Sequence, residues 1–124
     1  MINPAETITF AITPVARGFA VDWNVPENLP YFEGHFPGNP VLPAVAILDA
    51  TLQVLRAGLA QSELELFSVP NAKFMGIIRP GSRVHIEVYR DENGSDPAEW
   101  RAEWTGEEPG TRLAELRIRT RFGG

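Results

Sequence analysis

One segment of this chain repeats its apolar residues at helical spacing, while nearly everything around it alternates with period two. Val45, Leu48, Leu52, Leu55 and Leu59 recur at steps of three and four residues, which predicts a helix from about Pro43 to Ala60 with one apolar stripe. A lone amphipathic helix has nothing to bury that stripe against, so the strands on either side must cover it.

Before the helix, Ile8, Phe10 and Ile12 alternate with Thr7, Thr9 and Ala11, and beyond Pro14 and Gly18 the pattern resumes with Phe19, Val21, Trp23 and Val25. These two strands are expected to form a hairpin. After the helix, alternation runs through Leu64 to Ile78, Val84 to Val88, Trp100 to Trp104 and Ala114 to Phe122, with turns at Pro80-Gly81, Asn93-Gly94 and Pro109-Gly110. The expectation is an α+β fold over residues 1–124 as a single domain: two strands, one long helix, then three or four strands in meander.

The 124 residues carry 44% hydrophobic and 22% charged side chains, the balance of a globular chain. With 11 basic and 16 acidic side chains the net charge is -5, which disfavours a broad electrostatic grip on nucleic acid or anionic lipid. The absence of cysteine excludes disulfides and thiolate zinc sites, and 2 histidines are few for another metal cage, so a site without metal or other cofactor is expected. Met1 to Phe10 lacks the pattern of a signal peptide and no stretch has the length of a membrane span, giving the expectation of a cytoplasmic protein.

The chemistry concentrates between Pro26 and Asp49. Pro26, Pro30, Pro37, Pro40 and Pro43, with Gly34 and Gly38, make a stiff loop in which His35 can be held in one orientation. Pro43 reads as the first helical residue and Leu42 offers no capping oxygen, so the amides of Ala44 and Val45 are left to receive a carbonyl at the positive end of the helix dipole. Asp49 lies among Val45, Ala46, Leu48, Ala50 and Leu52, where a carboxylate is costly unless paired, wet or functional. Gln53, one turn on, shares its face and is placed to orient it.

The string Gly34-His-Phe-Pro-Gly-Asn-Pro-Val-Leu-Pro-Ala44, with Asp49 fourteen positions after His35 and Gln53 four further on, resembles the signature of the 3-hydroxyacyl-acyl-carrier-protein dehydratases of the FabA/FabZ type. Lys73-Phe-Met-Gly-Ile-Ile-Arg-Pro-Gly81 is similar to the family's strand and turn after the helix. The resemblance implies a hot-dog fold, an antiparallel β-sheet wrapped around one long central helix, and a homodimer whose sites pair the His of one subunit with the acid of the other; oligomers above the dimer are left open. It further implies that His35 removes the proton alpha to the thioester carbonyl and that Asp49 protonates the leaving 3-hydroxyl. Amides near Gly38 and Ala44 would hold the carbonyl and Gln53 would support Asp49. Tyr31, Phe32 and Phe36 are candidates to line or gate the acyl tunnel, or equally to pack the loop. The implied substrate is a 3-hydroxyacyl chain on acyl carrier protein or coenzyme A, in fatty acid or polyene-type biosynthesis, with no cofactor, nucleic acid or membrane. Ala44 stands where the family usually has Gly, and the acid is Asp where the larger branch has Glu.

Two other readings compete: a hot-dog thioesterase, whose helix carboxylate activates water without a loop His, and a non-catalytic acyl-binding subunit. Arg56, Lys73, Arg79 and Arg83 are candidates for a basic rim that steers an acidic carrier, or are scattered surface charge. His85, Trp100 with Trp104, and Arg117, Arg119 and Arg121 read as structural or surface residues.

Overall fold

A computed structural model describes residues 11–27, 41–108 and 110–123. Among them the elements run β1 (Thr13–Val15), β2 (Gly18–Asn24), α1 (Ala44–Leu59), β3 (Leu64–Phe74), β4 (Arg83–Tyr89), β5 (Glu99–Thr105) and β6 (Arg112–Phe122). The sheet order is β1-β2-β4-β5-β6-β3, with every pairing antiparallel.

The architecture is the expected α+β arrangement, and β4, β5 and β6 form a three-strand meander, but β3 stands apart from it. Chain-neighbours β3 and β4 are separated, with β3 at the far edge against β6 and β4 beside β2. Alternation specifies which face of a strand is buried and not which strand lies next to it, so this crossover was beyond the pattern. Most of the expected first strand, Thr7 to Ile12, lies outside the described residues. The described hairpin turns at Ala16-Arg17, with Pro14 inside β1 and Arg17 at φ 64°. Gly18 begins β2 because nothing larger fits: a Cβ there would sit 1.8 Å from the Val88 carbonyl oxygen.

The sheet curls around the helix, since α1 touches β2 and β4 towards one edge and β3 at the other. Trp23, Val84, Ile86, Val88, Trp104, Leu116 and Ile118 fill the concave face, with Trp23 set edge-on to Trp104 at 6.0 Å. The convex face carries His85, Glu87, Arg101, Glu103, Glu115, Arg117 and Arg119. The Trp100, Trp104 and β6 arginine expectations therefore hold.

The helix sits differently from its expected stripe. Of the five residues that defined the stripe, Leu52 and Leu55 are buried, Leu48 and Leu59 are half-buried, and Val45 is 60% exposed. The seam against the sheet is Ala46, Ile47, Ala50, Thr51, Val54 and Leu55. Two apolar stripes overlap on α1, and the one made of small and β-branched residues is the one that allows close packing on the sheet. The other runs along the flank of the helix, from exposed Val45 through half-buried Leu48 to buried Leu52.

Candidate active site

Helix α1 begins with Pro43 as N-cap, in extended conformation at φ -74° and ψ 161°, so Pro43 precedes the first helical residue instead of being it. Its carbonyl accepts from the amides of Ala46 at 3.0 Å and Ile47 at 3.2 Å. The amides of Ala44 and Val45 find no acceptor among the described residues, and no acidic residue lies in the first turn to neutralise them. Both residues are exposed. The chain is fixed just before this point by the Leu42 amide, which donates to the Ile78 carbonyl at 2.7 Å. The helix start thus presents two aligned donors on a rigid support.

Asp49 is half-buried in the second turn. Its α-carbon lies roughly 200° around the helix from Ile47 and from Thr51, so it projects away from the sheet seam. Gln53 follows one turn later, also half-buried, and its Nε2 is fully enclosed without a hydrogen-bond partner among the described residues. An enclosed amide donor without an acceptor is costly unless another group completes it. His35, Phe36 and Gly38, together with Tyr31 and Phe32, lie outside the described residues.

The basic-rim candidates separate. Arg56 does not point outward as a steering charge: its Nε donates to the Leu64 carbonyl at 2.6 Å and ties the end of α1 to β3. Lys73, Arg79 and Arg83 are exposed. His85 stays on the convex face, hydrogen-bonded through Nδ1 to Asp22 at 2.9 Å, with Glu87 at 3.6 Å from Nε2. The hydrogen bond to the Asp22 carboxylate raises its pKa above the ordinary histidine value, against a smaller lowering from burial.

Two features were missed from sequence. One is a set of exposed apolar side chains along edge strand β3 and beyond it, Phe67, Val69, Phe74, Met75 and Ile77. The other is a buried chain of hydrogen bonds. Trp104 Nε1 donates to Thr51 Oγ1 at 3.0 Å, and Thr51 Oγ1 donates to the Ile47 carbonyl at 2.8 Å. The available signal for the second was a β-branched hydroxyl residue amid an apolar helix, where a side-chain bond to the preceding turn is the usual outcome. Among the described residues, no cluster of three or more histidine or acidic side chains is placed to hold a metal ion, and no helix is long and apolar enough to cross a membrane.

An antiparallel sheet curled around one long helix is the hot-dog fold, and solved structures agree. The dehydratase heterocomplex ApeI:P from Xenorhabdus doucetiae superimposes with TM-score 0.73 at 20% identity, over 91% of this chain and 98% of that one. Mouse thioesterase superfamily member 2 does so with TM-score 0.59 at 15% identity, over 92% and 81%. Proteins of both descriptions share the fold, so the fold does not choose between them. The model of the ApeI-like family, described as ApeI dehydratase, matches residues 2–109, and the chain belongs to that family. The 3-hydroxyacyl-[acyl-carrier-protein] dehydratase FabZ of Rickettsia massiliae is 40% identical over 76 residues, 56% of this chain and 52% of that protein. Its counterpart in Thermoanaerobacter sp. is 38% identical over 76 residues, 55% and 52%. The chain spans about half the length of the curated relatives it matches.

Proposed function

We propose that this protein dehydrates a 3-hydroxyacyl thioester to the trans-2-enoyl thioester. The observation that carries this reading is membership of the dehydratase family through a match that spans both His35 and Asp49. His35 takes the proton from C2, the C2–C3 double bond forms as the C3–O bond breaks, and the Asp49 carboxyl gives its proton to the departing hydroxyl, releasing water. The free amides at Ala44 and Val45, with the backbone near Gly38, receive the thioester oxygen as negative charge develops on it. Gln53 directs its enclosed amide group to the site beside Asp49, and Phe36 borders the acyl chain.

The reading includes a homodimer in the cytoplasm, with Asp49 of one subunit serving His35 of the other and acyl carrier protein delivering the chain. The apolar line along β3 supports it, because an exposed edge strand with large apolar side chains offers both unpaired backbone groups and surface to a second subunit. The Xenorhabdus neighbour is a dehydratase heterocomplex, which favours a second reading in which a non-identical subunit occupies this edge. Light scattering of the chain purified alone separates the two: a dimer supports the first reading and a monomer the second.

The activity test follows enoyl absorbance with 3-hydroxyacyl carrier protein and coenzyme A substrates, using wild type and His35→Ala. Enoyl product that vanishes in the variant is expected. Release of free thiol without enoyl product would instead make the protein a thioesterase, and binding without either product an acyl-binding subunit.

A further inference from the structure

We infer that Thr51 and Trp104 form a peg that sets the rotation of α1 and thereby aims Asp49, making both of them positioning residues for the dehydration. The inference rests on Asp49 as the acid proposed above and goes on to identify what holds it in place. Thr51 and Trp104 each have 0% exposure, so neither reaches substrate or solvent from where it sits.

The peg has a single satisfied arrangement. An indole N–H is a donor only and needs an acceptor when buried; Thr51 Oγ1 supplies it and passes its own proton to the Ile47 carbonyl. Trp104 is itself fixed, lying near the end of the central strand β5 opposite Ile86 of β4 and Ala114 of β6 and meeting the edge of Trp23. The helical turn from Ile47 to Thr51 is thus tied to the middle of the sheet. A threonine bond to the carbonyl four residues back also tends to bend the helix at that point. Asp49 occupies the middle of this same turn, on the side facing away from the peg.

Rotation matters because a side-chain tip lies about 5–6 Å from the helix axis, so a turn of ~10° moves it by ~1 Å. A displacement of that size in a reacting group costs up to about 100-fold in rate. The Trp104–Thr51 hydrogen bond is a directional link from sheet to helix, and the Thr51–Ile47 bond within the helix fixes the rotamer that receives it.

The test compares Thr51→Val, Thr51→Ser and Asp49→Asn with Ile118→Val, a core change on β6 apart from the peg. Steady-state kinetics and thermal unfolding are measured on each. The expected result is a kcat at least ~10-fold lower in Thr51→Val with KM within about twofold, recovery of kcat in Thr51→Ser, and unchanged kcat in Ile118→Val despite its lower Tm. A Thr51→Val protein that loses Tm but keeps the kcat of Ile118→Val, alongside an inactive Asp49→Asn, would overturn the peg and leave the acid assignment standing. Full activity in Asp49→Asn would remove the acid assignment and this inference with it. Should Thr51→Val fail to fold, Trp104→Phe removes the donor while keeping an aromatic ring, and wild-type kcat in that folded variant would equally overturn the proposal.

Discussion

The two sides of α1 obey different rules. The side against the sheet holds Ala46, Ile47, Ala50, Thr51, Val54 and Leu55, all buried, with its one polar group hydrogen-bonded in both directions. The other side holds exposed Val45, half-buried Leu48 and Asp49, and Gln53 close by with a donor unpartnered among the described residues. The first satisfies everything it buries, as a side selected for folding must. The second leaves the Gln53 Nε2 and the amides of Ala44 and Val45 without partners among the described residues, which suits the side proposed to meet substrate.

Substitutions on the two sides should therefore fail in different assays. The largest effect belongs to the sheet side: Leu55→Ala empties a fully buried position and is expected to lower unfolding free energy by about 2–5 kcal/mol, read by denaturant titration. On the other side, Asp49→Asn is expected to lower turnover at least ~100-fold, about 2.7 kcal/mol of transition-state stabilisation, with Tm near that of wild type. A variant Asp49→Asn that instead destabilised the fold as much as Leu55→Ala would erase the distinction. Phe74→Ser probes the same contrast at the sheet edge. Phe74 is 44% exposed, so about half its surface remains for a partner to cover. In the proposed symmetric dimer, losing roughly 1 kcal/mol in each copy weakens association about 30-fold, measurable by sedimentation, while unfolding of the isolated subunit changes less.

Much of this was legible in the sequence, and the gaps have physical causes. Strand faces were readable because a period of two assigns each side chain to one face, as Val84, Ile86 and Val88 show. The long helix was readable from its spacing, but its seam was not. Leucines attract attention over the alanines and threonine that actually touch the sheet, and a helix covered on two sides carries two overlapping stripes. The strand order was hidden because β3 meets β6 over more than thirty intervening residues, and no local pattern records that closure. At the site, a helix start at Pro43 was visible within one residue, but the turning of Asp49 away from the sheet seam was not, because its apolar neighbours gave no direction. The peg needed the spatial meeting of Thr51 and Trp104, which are 53 positions apart.

The smallest expected effect lies on the convex face, away from both sides of the helix. His85 and Asp22 sit directly opposite each other on β4 and β2, with Glu87 two residues along and Thr105 opposite on β5. The Asp22 hydrogen bond raises the folded-state pKa of His85 above the unfolded value of about 6.5. The imidazolium therefore contributes stability that is fully present below ~6.5 and lost as pH rises through the higher folded-state value. The contribution is small because the His85 and Asp22 side chains are 41% and 61% exposed and water screens the pair. Comparing Tm at pH 5.5 and pH 8.5 in wild type and His85→Gln isolates it: wild type should lose slightly more Tm on going to the higher pH. The same substitution should leave kcat unchanged at either pH. A pH-dependent loss of turnover in His85→Gln would mean that the convex face communicates with the helix, and that the division between a folding side and a working side of this molecule is drawn in the wrong place.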